Sequence, residues 1–311
     1  MCRSVARAAV LVLGALAALA ILPGVAYAWT PGTHIFLSEA ILRSLALLPP
    51  AVAELLHAFP YDFLYGSIAA DTSIAKKYAP VGRHCHSWNV GLEILERAST
   101  KPLKAFALGY LSHLAADAVA HNFFVPRYLV IASRTSGLGH SYWESRFETH
   151  LGPGFSSKAV EVMVRDHAHS DEHLDQILSP TIFSTQTNRR IFRGMVYVTD
   201  TESWQRIFQL AADNSRWDLT DVEVAGYMDR AFDYIVDFLL RLESSEPYLL
   251  DPSGDDALIS ALRVRRAARL SGVEFHLAEE AIRRFGMPES ELGFAAALPN
   301  PLYFPERSDK S

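Results

Sequence analysis

The chain has 311 residues, 50% of them hydrophobic and 21% charged, with 17 Gly and 16 Pro. That composition belongs to a folding globular chain and excludes a disordered tail, a collagen-like repeat and a low-complexity linker. With 29 basic against 35 acidic side chains the formal charge is -6, which argues against a dedicated nucleic-acid binder, and two cysteines exclude a disulfide-stapled scaffold.

The first predicted element is a targeting segment. Arg3 and Arg7 form a short basic region, Ala8 to Leu22 is an uncharged apolar run, and Ala26-Tyr27-Ala28 supplies the small residues of a cleavage site. A signal peptide over residues 1–28 is therefore expected, with cleavage after Ala28. An uncleaved membrane anchor is the weaker reading, because a spanning helix needs about 20 apolar residues. Cleavage leaves 283 residues beginning at Trp29; losing Arg3 and Arg7 takes the charge from -6 to -8, and losing Cys2 leaves Cys85 alone. The expectation is a secreted or periplasmic protein, with peripheral membrane contact at most.

From Trp29 onward the apolar spacing is helical. Ile35 to Leu48 stops at Pro49-Pro50, and Ala51 to Ala58 stops before Pro60. Tyr61 to Arg83 reads as irregular, since Gly66, Asp71, Pro80 and Gly82 interrupt it. Asn89 to Ala98 is a short amphipathic helix, and Leu103 to Phe124 follows a proline placed to start a helix. A short helix after Pro126 and a turn at Gly137-Gly139 precede a helix over His140 to His150. Ser157 to Leu178, Ser203 to Asn214, Asp221 to Leu242, Asp255 to Leu270 and Val273 to Phe285 continue the pattern. Alternating strand patterns are absent. The expected fold is all-α: a multi-helix domain over 29–245 with a metal cluster between helices, then a small helical extension over 246–311 whose end, from Pro299, is a mobile tail.

Polar residues on otherwise apolar helices carry the functional signal. On Leu103 to Phe124, His113, Asp117 and His121 stand at i, i+4 and i+8, within about 80° of one another on one face. Burying two imidazoles and a carboxylate without a cation costs several kcal/mol, on the order of the price of unpaired buried polar groups. Zinc takes imidazole nitrogen and carboxylate oxygen as ordinary ligands. A hydrogen-bonded core network of the same three residues is the competing explanation. His140 and Glu144 repeat the i, i+4 spacing on the next helix, with Glu148 one turn further on. His34 follows Trp29 by five residues, Asp71 lies in GSIAADTS, and RHCHSWN places His84 and His86 two apart. Each is weak alone, but seven of the twelve histidines precede residue 141, and together they point to one site.

This set resembles the zinc-dependent phospholipase C family, related to the single-strand-specific zinc nucleases and to the phospholipase domain of glycosylphosphatidylinositol-specific phospholipase D. The resemblance covers Trp29 to about Leu151. It rests on WTPGTH, where a tryptophan at the processed terminus precedes a histidine, and on the match of HCHSWN to a histidine followed five residues later by Asn or Asp. It rests also on L-G-x-x-x-H-x-x-x-D from Leu108 to Asp117 and H-x-x-x-E at His140 and Glu144. It implies a helical domain with a trinuclear zinc cluster. By those matches Asp71, His84, His113 and Asp117 would hold one zinc; Trp29, through its amine and carbonyl, His34 and bridging Asp117 a second; and His121, His140 and Glu144 a third. His86 is the alternative to His84, which Asn89 favours. One departure concerns the third ion: the secreted bacterial phospholipases place their later helix histidine ten residues after the first, whereas His121 is at plus eight, as in the phospholipase D-like branch.

The implied chemistry is metal-assisted phosphodiester hydrolysis, with Asp71 the general base or orienter of the attacking water. A phospholipid is the expected substrate, approached past Trp88, Phe123, Phe124, Tyr142 and Trp143, although core packing accounts for those rings equally well. A single-strand nuclease with the same cluster and a non-catalytic metal- or lipid-binding protein are the alternatives. Cys85 reads as a half-buried free thiol, and His167, His169 and His173 as a solvated helix end. Arg263 to Arg269 reads as an exposed basic face able to meet anionic lipid. There is neither a G-x-S-x-G elbow nor a glycine-rich phosphate loop.

Overall fold

The computed structural model describes residues 29–73, 78–80, 83–132, 136–151, 154–213, 215, 217–271 and 276–303. The expected signal peptide and the last eight residues lie outside them. In chain order the helices are α1 (Pro31–Arg43), α2 (Pro50–Ala58), α3 (Pro60–Ala69), α4 (Trp88–Glu96), α5 (Lys101–Val119), a π-helical turn (Ala120–Phe124), α6 (Val125–Ala132) and α7 (Ser136–Glu148). They continue as α8 (Gly154–Met163), α9 (Ala168–Asp175), α10 (Thr185–Thr199), α11 (Glu202–Asp213), α12 (Asp221–Arg241), α13 (Asp255–Ser271) and α14 (Leu277–Phe285). No strand occurs among the described residues, and the fold is all-α as expected.

Proline starts several of these helices, at Pro31, Pro50 and Pro60, where a missing N–H costs nothing. Thr100 caps α5 by accepting from the Leu103 N–H, and Thr220 with Glu223 closes a capping box on α12. The centre of the molecule is α5. Every residue from Ala105 to Val119 is buried, so the helix has no polar face and other helices surround it.

The crossing of α3 over α5 depends on two glycines. A Cβ on Gly66 would lie 2.0 Å from the Phe106 carbonyl oxygen, and one on Gly109 would lie 2.1 Å from that of Phe63. Only hydrogen at both positions lets the backbones approach so closely. This corrects the reading of Tyr61 to Arg83 as irregular: Phe63 to Ala69 are all buried in α3, which removes the polar half of the period that reveals a helix.

Other departures have similar causes. Gly137 and Gly139 lie within α7 instead of forming a turn, and the span Ser157 to Leu178 divides into α8 and α9. The polar helix α10 turns only Asn188, Arg189, Phe192 and Val196 to the interior, so its sequence resembles a loop. At the α8–α9 junction, His167 is buried, stacked on Tyr65 at 3.7 Å, and its Nε2–H donates to the Val162 carbonyl at 2.7 Å. His173 is buried and donates to the Ile94 carbonyl at 2.9 Å. Of the three histidines read as solvated, only His169 is exposed.

The extension shares the main core. Ala261, Leu277, Ala281 and Phe285 are buried with it, and the Ala295 N–H donates to Asp233 at 2.7 Å. Tyr303 is also buried and donates to the His150 carbonyl at 2.7 Å, so the docked chain reaches Tyr303 and the tail does not begin at Pro299. Among the described residues, no helix is long and apolar enough to cross a membrane.

Candidate metal centre

The close α3–α5 crossing brings together residues far apart in sequence. Past the crossing, α3 tightens into a 3-10 turn over Ala70–Thr72 that presents Asp71, while α5 carries His113 and Asp117. From a third side α1 supplies His34, and the turn before α4 supplies His86. The π-helical turn that ends α5 supplies His121; such turns recur at functional sites because the extra residue redirects one side chain. All six are at most 3% exposed.

Asp117 is the centre. Its Oδ1 lies 3.3 Å from His34 Nε2, and its Oδ2 lies 3.0 Å from His86 Nε2, 3.1 Å from His113 Nε2 and 4.0 Å from His121 Nδ1. Asp71 Oδ1 lies 3.3 Å from His86 Nε2 and 3.9 Å from His113 Nε2. His34, Asp71 and His113 offer one ligand atom each within 4.8 Å of one another, and so do His86, His113 and Asp117.

Hydrogen bonding distinguishes this arrangement from a satisfied core network. His34 Nε2 and both Asp117 carboxylate oxygens are buried without a hydrogen bond of acceptable geometry, although charged or polar atoms stand close by. His113 Nδ1 lies 2.8 Å from the Ser67 carbonyl, to which it can only donate. In the neutral ring Nε2 is then a lone pair, and it faces His86 Nε2 at 3.0 Å. Lone pairs converging with two carboxylates on a small buried volume require a cation or extra protons between them. The same donation from Nδ1 to a carbonyl is how ligating histidines are commonly oriented.

Electrostatics agree with that reading. Burial, and then the neighbouring His113 ring stacked at 3.9 Å, push the His34 imidazole below its ordinary range, so it favours the neutral, ligating form. Burial by itself works against charge on Asp117, yet His113, His34 and His86 hold its carboxyl well below the usual carboxylate range. A neutral His34 imidazole beside an ionised Asp117 carboxylate suits zinc binding, whose ligands must give up their protons.

The remaining expected residues are placed as follows. His86 occupies the position among Asp71, His113 and Asp117 that the resemblance gave to His84. His84 is half-buried and accepts the His86 backbone N–H on Nδ1 at 3.1 Å, which closes the turn instead. Trp29 is buried, with its ring 6.3 Å from His34 and 5.3 Å from Phe147. Glu144 is buried in α7, one turn beyond His140, whose side chain lies outside the described residues. Cys85 is fully buried, not half-buried, with Sγ 3.3 Å from His86 Nδ1. Trp88, Phe124 and Trp143 are core residues, the first stacked on Phe238, while Phe123 and Tyr142 stay half-buried. The carbonyls of Ser67 and Pro252 escaped the sequence reading, because a backbone oxygen has no sequence signature. A cavity of about 390 Å³ lies elsewhere, lined by Glu148, Ser156, Glu202, Trp204 and Arg206 among others, and contains none of the clustered residues.

Compared with known families, the chain matches the model described as zinc-dependent phospholipase C over residues 33–182. That span includes all six clustered residues and leaves Trp29 and Pro252 outside. No curated protein and no solved structure matches the chain significantly.

Proposed function

Residues 33–182 make this chain a member of the zinc-dependent phospholipase C family, and on that premise we propose that it hydrolyses the phosphodiester of a phospholipid to release a phosphorylated head group. The observation that carries the reading is the convergence of His34, Asp71, His86, His113 and Asp117 on one buried volume, with His121 at its edge and the Asp117 oxygens left without hydrogen bonds. Such a donor set of imidazoles and carboxylates fits zinc.

In this proposal His34, Asp71, His86, His113, Asp117 and His121 hold zinc, joined by Trp29, His140 and Glu144 for up to three ions. Zinc, when bound, supplies Lewis acidity toward water and toward the phosphoryl oxygens. The chain's own residues do the rest. Asp117 would be shared between two ions, since its two oxygens face different histidines. Asp71 takes or orients the proton of the attacking water, because it is the carboxylate beside His86 and His113 that is not at the centre of the cluster. The Ser67 carbonyl keeps the His113 Nε2 lone pair turned inward. Export through the leader at 1–28, with release at Trp29, is part of the same proposal.

A lipid is favoured over a polynucleotide on charge. Nucleic-acid binding draws on many Lys and Arg contacts to phosphates, and a processed chain at -8 offers no general surplus. With zinc present throughout, release of phosphorylated head group from phosphatidylcholine and phosphatidylinositol vesicles is to be measured beside cleavage of single-stranded DNA. Faster turnover of vesicles is expected. Faster turnover of DNA would replace the lipase with a nuclease, and no turnover of either by fully metallated protein would leave a non-catalytic binder.

A further inference from the structure

Three consecutive backbone carbonyls of the C-terminal extension accept hydrogen bonds, one from α4 and two from the π-helical turn that follows α5. The Leu250 carbonyl accepts from Trp88 Nε1 at 2.8 Å, that of Asp251 from Asn122 Nδ2 at 2.8 Å, and that of Pro252 from His121 Nδ1 at 2.6 Å. Asn122 also donates to the Ala118 carbonyl at 2.9 Å, so one amide ties the π-helical turn to the extension. The Asp251 side chain braces its own turn by accepting the Ser253 N–H at 3.0 Å, and Gly254 N–H returns to the Asp251 carbonyl at 3.0 Å.

Gly254 closes the turn at φ +60, a left-handed conformation natural to glycine. A Cβ there would lie 2.5 Å from both the Cβ and the carbonyl oxygen of His121. The extension's backbone therefore rests directly on His121. A carbonyl can only accept, so Pro252 fixes a His121 proton on Nδ1, and in the neutral ring Nε2 is then the lone-pair nitrogen. This parallels the Ser67 carbonyl and His113, except that its source is 131 residues away in sequence and outside the span that matches the family.

We infer that the Leu250–Gly254 turn is a positioning device for the metal centre, in which Pro252, Gly254 and Asn122 set the tautomer and aim of His121. This rests on the reading of His121 as a zinc ligand. The extension is then an integral part of the site, not an appendage.

The test uses the full chain and two readouts: zinc bound per chain, titrated against a competing chelator, and the visible spectrum after loading with cobalt. His121→Ala first establishes the underlying reading, and is expected to lower bound zinc and change the cobalt spectrum. If it changes neither, the ligand assignment of His121 fails and the inference falls with it. Given that loss, Asn122→Leu and Gly254→Ala are expected to weaken zinc about 10–100-fold and to alter the cobalt spectrum, the usual cost of losing an orienting partner. Pro252→Ala, which keeps the carbonyl, is expected to stay near wild type. If Gly254→Ala fails to fold by circular dichroism, Asn122→Leu decides. Wild-type zinc affinity and cobalt spectrum in Asn122→Leu, with His121→Ala deficient, would overturn the inference and leave the ligand assignment standing.

Discussion

Asp117 stands at the centre of the site because, among the described residues, it is the carboxylate whose oxygens face His34 on one side and His86 and His113 on the other. An amide has the same shape but lacks the charge and offers one acceptor in place of two. Asp117→Asn is therefore expected to weaken zinc by at least the roughly 10–100-fold that loss of an orienting partner costs, and to abolish the fall in melting temperature that a chelator causes in the wild type. A hydrogen-bonded core network predicts otherwise, because an amide could still pair with the histidines; equal chelator sensitivity in the variant and the wild type would favour that network. The same titration separates the two neighbouring histidines. His86→Ala is expected to lose more zinc than His84→Ala, since His86 lies beside Asp117 while His84 accepts the backbone N–H that closes the turn.

Between elements, the decisive contact is the α3–α5 crossing. Two glycines set it, and its consequence is chemical: it holds the Ser67 carbonyl 2.8 Å from His113 Nδ1 and Asp71 Oδ1 3.9 Å from His113 Nε2. Gly66→Ala must displace the Phe106 backbone, which no side-chain rotation can relieve. A destabilisation of about 1–3 kcal/mol is expected, typical of overpacking, together with weaker zinc binding as the helices separate. Denaturant titration and zinc affinity together check it. A variant with normal zinc affinity despite lower stability would show that the crossing distance does not set the site. The π-helical turn acts the same way at the other end of α5, since it turns His121 toward Pro252.

At the scale of the whole chain, both termini matter. Trp29 is buried with its ring 6.3 Å from His34, and in the proposal its freed backbone amine joins the ligand set. An ammonium cannot bind metal, but with an ordinary pKa of about 7.7–8.0 the amine gives up its proton to zinc cheaply near neutrality. Intact-mass analysis of exported protein is expected to show a chain beginning at Trp29, and one added residue before Trp29 is expected to lower zinc content. Retention of the leader, or full zinc in the extended chain, would remove the amine from the ligand set. At the other end, α13 and α14 share the main core, and the turn that precedes α13 supports His121.

Sequence alone determined the helical class and the i, i+4, i+8 set on α5, because both follow from local periodicity. It also carried the resemblance, because that rests on short motifs such as WTPGTH and the run from Leu108 to Asp117. The tertiary structure decided what depends on contacts between distant segments. It put His86 instead of His84 beside Asp117, since a two-residue offset in a turn is settled by which backbone N–H needs an acceptor. It revealed α3, since a helix buried on every side has no polar stripe to mark it. It also joined Pro252 to His121, since a carbonyl's aim depends on how the chain folds back and not on which residue carries it.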